Sequence, residues 1–196
     1  MNFHKAKKYI LNRLKDELPN HLSYHGYHHT WDVYEMAIEI AKEEGIDNEE
    51  DLTLLKTAAL FHDSGFLVTY KGHEDEGCKL ISEVLPSFEY SQGDMEKICG
   101  MIQATKIPQS PKTRLEEILA DADLDYLGRD DFHSISNSLF DEFKSIHLVD
   151  SIEEWNKIQV KFLEQHHFFT KTSIRKRKAE KDKRLLELKE LIKSYE

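Results

Sequence analysis

The 196-residue chain carries 27 Lys plus Arg against 37 Asp plus Glu, a formal net charge of −10 with histidine neutral. That length suits one domain with a real core, and 39% hydrophobic and 10% aromatic residues lie far from the composition of a disordered chain. No apolar run nears the roughly 18 residues of a membrane span, the acidic balance argues against general nucleic-acid binding, and Cys78 and Cys99, outside any CxxC pair, suggest neither a disulfide framework nor a zinc–cysteine site.

Glycine (8) and proline (4) are scarce, and apolar residues repeatedly fall three and four apart, so the chain reads as all-α. A first helix over residues 3–18 carries Phe3, Ile10, Leu11, Leu14 and Leu18, and Pro19-Asn20 stops it. Its basic residues Lys5, Lys7 and Lys8 precede no continuous signal-peptide core, because Asn12, Arg13, Lys15, Asp16 and Glu17 interrupt the apolar positions; a cytoplasmic location is expected. A second helix over 29–44 presents Val33, Ala37, Ile40 and Ala41 and ends before Gly45. The third, over 48–64, is apolar almost all round at Thr57-Ala58-Ala59-Leu60-Phe61, the pattern of a helix buried on most sides.

Further helices are expected over 73–85, 92–105, 112–128, 131–146, 151–168 and 172–194, with breaks at Pro86, Pro108, Pro111, Gly128 and Asp150-Ser151. Short linkers and the lack of any repeat favour one domain over residues 1–196: a helical bundle whose motif region spans 20–130, with the helices of 131–196 packed on it. From Lys171 onward there are ten basic and five acidic side chains. The cluster Arg175, Lys176, Arg177, Lys178, Lys181, Lys183, Arg184 is read first as a solvated helix face and second as a phosphate-attracting patch. Leu185, Leu188, Leu191 or Ile192, and Tyr195 form a stripe that docks on the bundle or on a second copy, so a homodimer is permitted.

Chemistry concentrates in three places: His25, His28 and His29 with Asp32; His62-Asp63 followed by His73-Glu74; and Asp121-Ala122-Asp123. Aspartates beside apolar helix ends are costly unless a positive partner meets them, and a divalent cation is the simplest one. An imidazole from the second helix, His and Asp from the end of the third and one Asp from the sixth make a mixed N/O set without thiolate. Such a set suits Mn, Fe, Mg, Co, Ni or Zn and leaves positions open for water and a substrate oxygen.

In order, His29, His62-Asp63 and Asp123 make an H…HD…D pattern. Around it stand Tyr24-His25-Gly26-Tyr27-His28-His29-Thr30-Trp31-Asp32-Val33, Ala58-Ala59-Leu60-Phe61-His62-Asp63-Ser64-Gly65 and Ile118-Leu119-Ala120-Asp121-Ala122-Asp123. This resembles the HD superfamily of metal-dependent phosphohydrolases over residues 20–130. The resemblance implies an HD-domain helical bundle, one divalent metal held by His29, His62, Asp63 and Asp123, and a small phosphorylated substrate, a nucleotide first. Asp123 is preferred to Asp121 because the family's ligand follows a small residue, here Ala122. Asp121, His28 and Asp32 stand as alternative ligands or as residues that orient a ligand histidine.

Tyr24-His25 also resembles the pair that precedes the first metal histidine in cyclic-nucleotide phosphodiesterases, where the histidine protonates the leaving group. That resemblance makes His25 a candidate general acid, although Gly26 stands where those enzymes have Asn, and Asp63 is the candidate proton acceptor. His73 resembles a downstream histidine of the two-metal HD-GYP branch. The His-His pair that should follow is replaced by Ile102-Gln103-Ala104-Thr105-Lys106 and no GYP motif occurs, which disfavours a second metal and a cyclic dinucleotide. His73, Lys106 and Arg129 remain candidates for substrate contact or a second metal, each weighed against an ordinary surface role. The tail Glu164-Gln165-His166-His167-Phe168-Phe169-Thr170 with Arg175 resembles the C-terminal part of small stand-alone HD phosphohydrolases. A module that senses a nucleotide without hydrolysing it is the alternative to an enzyme, and no nucleic acid or membrane is expected as partner.

Overall fold

Helix starts are set by side chains that satisfy amides the helix leaves free. Asn2, Asn48, Ser91, Thr113, Ser151 and Thr170 each accept a hydrogen bond from the backbone amide three residues on. Asp94 and Glu116 return the bond and complete capping boxes. A computed structural model describes residues 1–195 and places nine α-helices and no strand among the described residues. They are α1 (Phe3–Glu17), α2 (Tyr27–Glu43), α3 (Glu49–Phe61), α4 (His73–Val84), α5 (Gln92–Thr105), α6 (Arg114–Asp123), α7 (Phe132–Ser145), α8 (Ile152–Gln165) and α9 (Lys171–Lys193).

Three boundaries depart from the sequence reading in ways that shape the site. Gly26 is extended and caps α2, so the helix begins at Tyr27 and His29 falls in its first turn. α3 ends at Phe61, and Ser64–Leu67 winds into a 3-10 turn. α6 stops at Asp123 rather than running to 128, and Asp125–Gly128 forms a second 3-10 turn. Asp63 and Asp123 thereby stand at the carboxyl ends of two helices, where the backbone dipole opposes a negative charge. A folded chain tolerates that arrangement when a positive group meets the two carboxylates.

Two apolar clusters hold the helices. In the first, Leu54, Leu55, Ala58, Ala59, Leu60 and Phe61 of α3 are wholly buried, and α3 packs on α1, α2, α5 and α6 as the central rod. The second gathers Tyr24, Leu124, Tyr126, Leu127, Phe132, Leu163, Phe168 and Leu188, between α7, α8, α9 and the turn after α6.

α9 closes the bundle, and its basic cluster is largely spent inside the chain. Arg175 pairs with Glu43, Lys176 with Glu39 and Glu43, and Arg177 with the buried Asp125. Gly128 permits the approach, since a Cβ there would sit 2.3 Å from the Arg177 carbonyl oxygen. Leu188 is buried and Leu185 packs beside it, while the Asn156 amide of α8 donates to the Tyr195 hydroxyl at 2.6 Å. The stripe thus docks on α8 of its own chain. No helix among the described residues is long and apolar enough to cross a membrane.

Candidate metal centre

α2, α3 and α6 bring four side chains to one point. His29 Nε2 lies 3.2 Å from His62 Nε2, and Asp123 Oδ1 lies 3.2 Å from the first and 3.4 Å from the second. Asp63 Oδ2 is 3.4 Å from His29 Nε2 and 3.2 Å from His62 Nε2. His29, His62 and Asp123 each offer one donor atom within 4.8 Å of the other two. Neighbouring ligands on an ion with bonds of about 2.0–2.2 Å stand roughly 3 Å apart, so these separations match donors sharing one ion.

Local bonding fixes which atoms face inward. His62 Nδ1 donates to the Ala59 carbonyl at 2.9 Å, which leaves the Nε2 lone pair directed at the cluster. Two imidazole Nε2 atoms 3.2 Å apart satisfy each other poorly unless something lies between them. Asp63 Oδ2 is buried and has no hydrogen-bond partner. An unpartnered buried carboxylate oxygen is expensive, and together with the N/O donor set it fits a divalent cation.

The electrostatics agree. Burial penalises charge on both carboxylates, yet the neighbouring imidazoles outweigh it, holding Asp63 well below the usual carboxylate range and Asp123 at about 2. Burial opposes charge on His62 too, but Asp63 and Asp123 push its pKa well above the ordinary value. Both carboxylates are therefore ionised at neutral pH, and a cation entering the cluster takes the place of the proton that they hold on His62 Nε2.

The 3-10 turn after α3 builds the second layer. Asp63 Oδ1 faces His73 Nε2 at 3.5 Å, and the Phe66 ring stacks against both the His73 ring (4.0 Å) and the His25 ring (4.4 Å). Gly65 makes this possible, because a Cβ there would fall 1.8 Å from the His73 carbonyl oxygen. His25 lies beside His29, with ring centroids 5.9 Å apart. Its Nδ1 meets Glu142 Oε1 at 2.5 Å, and Glu142 also accepts from the Tyr24 and His25 amides and the Tyr70 hydroxyl. Burial disfavours a charged His25, but the Glu142 carboxylate overcomes it and raises the pKa.

Glu142 and Phe66 are absent from the sequence-predicted set. Glu142 carried a usable signal: it falls on the apolar face of α7 marked by Phe132, Leu139 and Phe143, where an acid demands a partner. Other expected residues stand elsewhere. Asp121 is wholly buried and accepts from the Phe169 amide, the Thr170 amide and the Thr170 hydroxyl, so it anchors the start of α9 instead of reaching the cluster. Asp32 receives both bonds from Arg129 Nη1 at 2.9 Å and does not orient a ligand histidine. Arg129 is held between Asp32 and Asp131, which occupies the guanidinium that was a candidate for substrate. His28 and Lys106 are exposed.

One wall of the centre opens into a cavity of about 360 Å³. It is lined by His25, Asp63, His73 and Asp123, by Glu74, Thr105, Leu124 and Tyr126 beside them, and by residues of α7 and α8. A family model, HD domain, matches residues 26–125, a stretch that contains all four converging side chains. No curated protein and no solved structure matches the chain.

Proposed function

The chain belongs to the HD domain family, and on that premise we propose that it is a metal-dependent phosphohydrolase acting on a small phosphate ester. The observation that carries this reading is the convergence of His29, His62, Asp63 and Asp123 at the end of a cavity large enough for a substrate. In the proposed assignment these four side chains hold one divalent ion, of Mn, Fe, Mg, Co, Ni or Zn. Such an ion supplies a water acidified toward neutral pH and offsets phosphate charge.

The remaining chemistry belongs to the chain. With Oδ2 directed at the His29 and His62 imidazoles, Asp63 keeps Oδ1, 3.5 Å from His73 Nε2, as the acceptor for the proton that the attacking water would lose. His25 delivers a proton to the departing oxygen: Glu142 binds its Nδ1, keeps the ring charged to higher pH and leaves Nε2 as the donor. Glu142 acts as a positioning residue. His73 stacks on Phe66 and steadies Asp63 from the side away from the two ligand histidines.

The test is phosphate release from nucleotides, sugar phosphates and simple alkyl and aryl phosphates with Mn²⁺, Mg²⁺, Co²⁺ or Ni²⁺. Wild type, His62→Ala and Asp63→Ala are compared. Release that depends on metal and disappears in both variants supports the assignment. Metal and nucleotide binding without release by any protein would overturn it in favour of a sensing module.

A further inference from the structure

The cavity beside the metal centre is walled by Phe132, Leu139, Phe143, Trp155, Phe162 and Leu163, and no lysine or arginine among the described residues lines it. Glu74 and Tyr126 also line the cavity, while the polar groups of Gln159, Trp155 and Thr105 are already committed. Gln159 Oε1 accepts from the Ser136 hydroxyl at 2.6 Å and its amide donates to Asn156 at 3.0 Å. The Trp155 indole N–H donates to Ser136 at 3.2 Å, and the Thr105 hydroxyl to Ile102 at 2.8 Å. By contrast, the Tyr24 hydroxyl is buried without a partner, and its ring lies 4.5 Å from that of His29, at the metal end. Ile107 and Ile158, both lining residues, are 54% and 38% exposed and continue the apolar surface outward.

We infer that the substrate is the phosphate ester of an apolar alcohol, its phosphate at the metal centre and its alkyl or aryl body in this chamber. The inference rests on the phosphohydrolase reading for the head group. A nucleobase or sugar would bring several donors and acceptors against a wall whose α7 and α8 side chains are apolar or already paired. Each one left unpaired would weaken binding by roughly 5- to 100-fold. A polyphosphate would need cationic side chains that the chamber lacks. An alkyl or aryl body needs neither. At about 30 Å³ per water-sized group the volume admits roughly a dozen non-hydrogen atoms, enough for a phosphate and a short chain or one aromatic ring.

The chamber can be probed without turnover. Methyl- to octylphosphonate, which carry no ester bond, are titrated calorimetrically into the full chain with Mn²⁺. Alkyl monophosphates of the same lengths, phenyl phosphate and nucleoside 5′-monophosphates are assayed for hydrolysis. Affinity and kcat/KM are expected to climb about fourfold per methylene until the chamber is full, and hexylphosphonate is expected to bind more tightly than any nucleoside monophosphate. Leu139→Asn on the wall and Ile158→Asp at the rim are expected to flatten the climb. Chain-length-dependent phosphonate binding with no ester hydrolysed upholds the chamber and overturns the hydrolase. Nucleoside monophosphate hydrolysis with a flat alkyl series overturns the chamber and upholds the hydrolase.

Discussion

Glu142→Gln is the sharpest single perturbation of the site, since the carboxylate is wholly buried and accepts four hydrogen bonds, one of them from His25 Nδ1 at 2.5 Å. The amide keeps the shape but removes the charge and turns one acceptor into a donor facing donors. Bonds to a charged group contribute about 1.5–3 kcal/mol each, and leaving a buried donor unpaired costs about as much. A net loss of about 2–3 kcal/mol is expected, which for a chain of this length lowers Tm by roughly 4–12 °C.

The pH dependence follows from two shifts of opposite sign. His25, raised from 6.5, contributes stability that is full below that value and lost as pH rises through its folded pKa. Glu142, lowered from 4.5, contributes stability that is full above that value and lost as pH falls through its folded pKa. The pair thus contributes most between pH 4.5 and 6.5. Urea unfolding of both proteins in chelator should give the largest difference near pH 5.5 and about 1 kcal/mol near pH 9, where only the neutral donors remain. In turnover, the basic limb of the pH profile should move to lower pH, because burial now governs His25. Equal differences at both pH values, or an unmoved basic limb, would refute the coupling of Glu142 to His25.

Three further outcomes are expected. Mn²⁺ at about a hundred times its Kd should stabilise the wild type by about 2.7 kcal/mol, seen as a rise in Tm that EDTA reverses and that His29→Ala and Asp123→Ala lack; a rise persisting in both variants counts against the ligand set. Asp121→Ala should destabilise by about 2–4 kcal/mol through loss of the α9 anchor yet retain the Mn²⁺-dependent rise, which a ligand at that position could not. Gly65→Ala should cost about 1–3 kcal/mol and weaken Mn²⁺ binding, because the new Cβ displaces the start of α4 and with it His73 beside Asp63. Calorimetric titration would expose an unaffected site.

Local pattern made most of the helices readable: the apolar run Thr57 to Phe61 marked the central rod, and proline, glycine and capping residues marked the breaks. The order His29, His62-Asp63, Asp123 was legible because α2 begins, and α3 and α6 end, at or beside those residues. Pairings across long separations were not. Glu142 meets His25 117 positions away, and Arg129 meets Asp32 97 positions away. Nothing in the neighbourhood of either residue encodes its partner. Asp121 shows the same limit from the other side: two aspartates one residue apart look alike in sequence, yet their side chains leave the end of α6 in different directions, one to the metal cluster and one to the start of α9.

The two apolar clusters divide the work of the molecule. Residues that pack Leu54, Ala58 and Phe61 determine whether the imidazoles and carboxylates meet at all. Residues packed around Leu127, Phe132 and Leu163 decide the shape of what can approach them. α7 and α8 follow Asp123 in the chain, so this cavity wall is added to a scaffold that already carries the His29, His62, Asp63 and Asp123 cluster. On the proposed function, exchanging side chains at Leu139 or Phe143 is expected to alter which molecules are admitted while leaving the central rod intact.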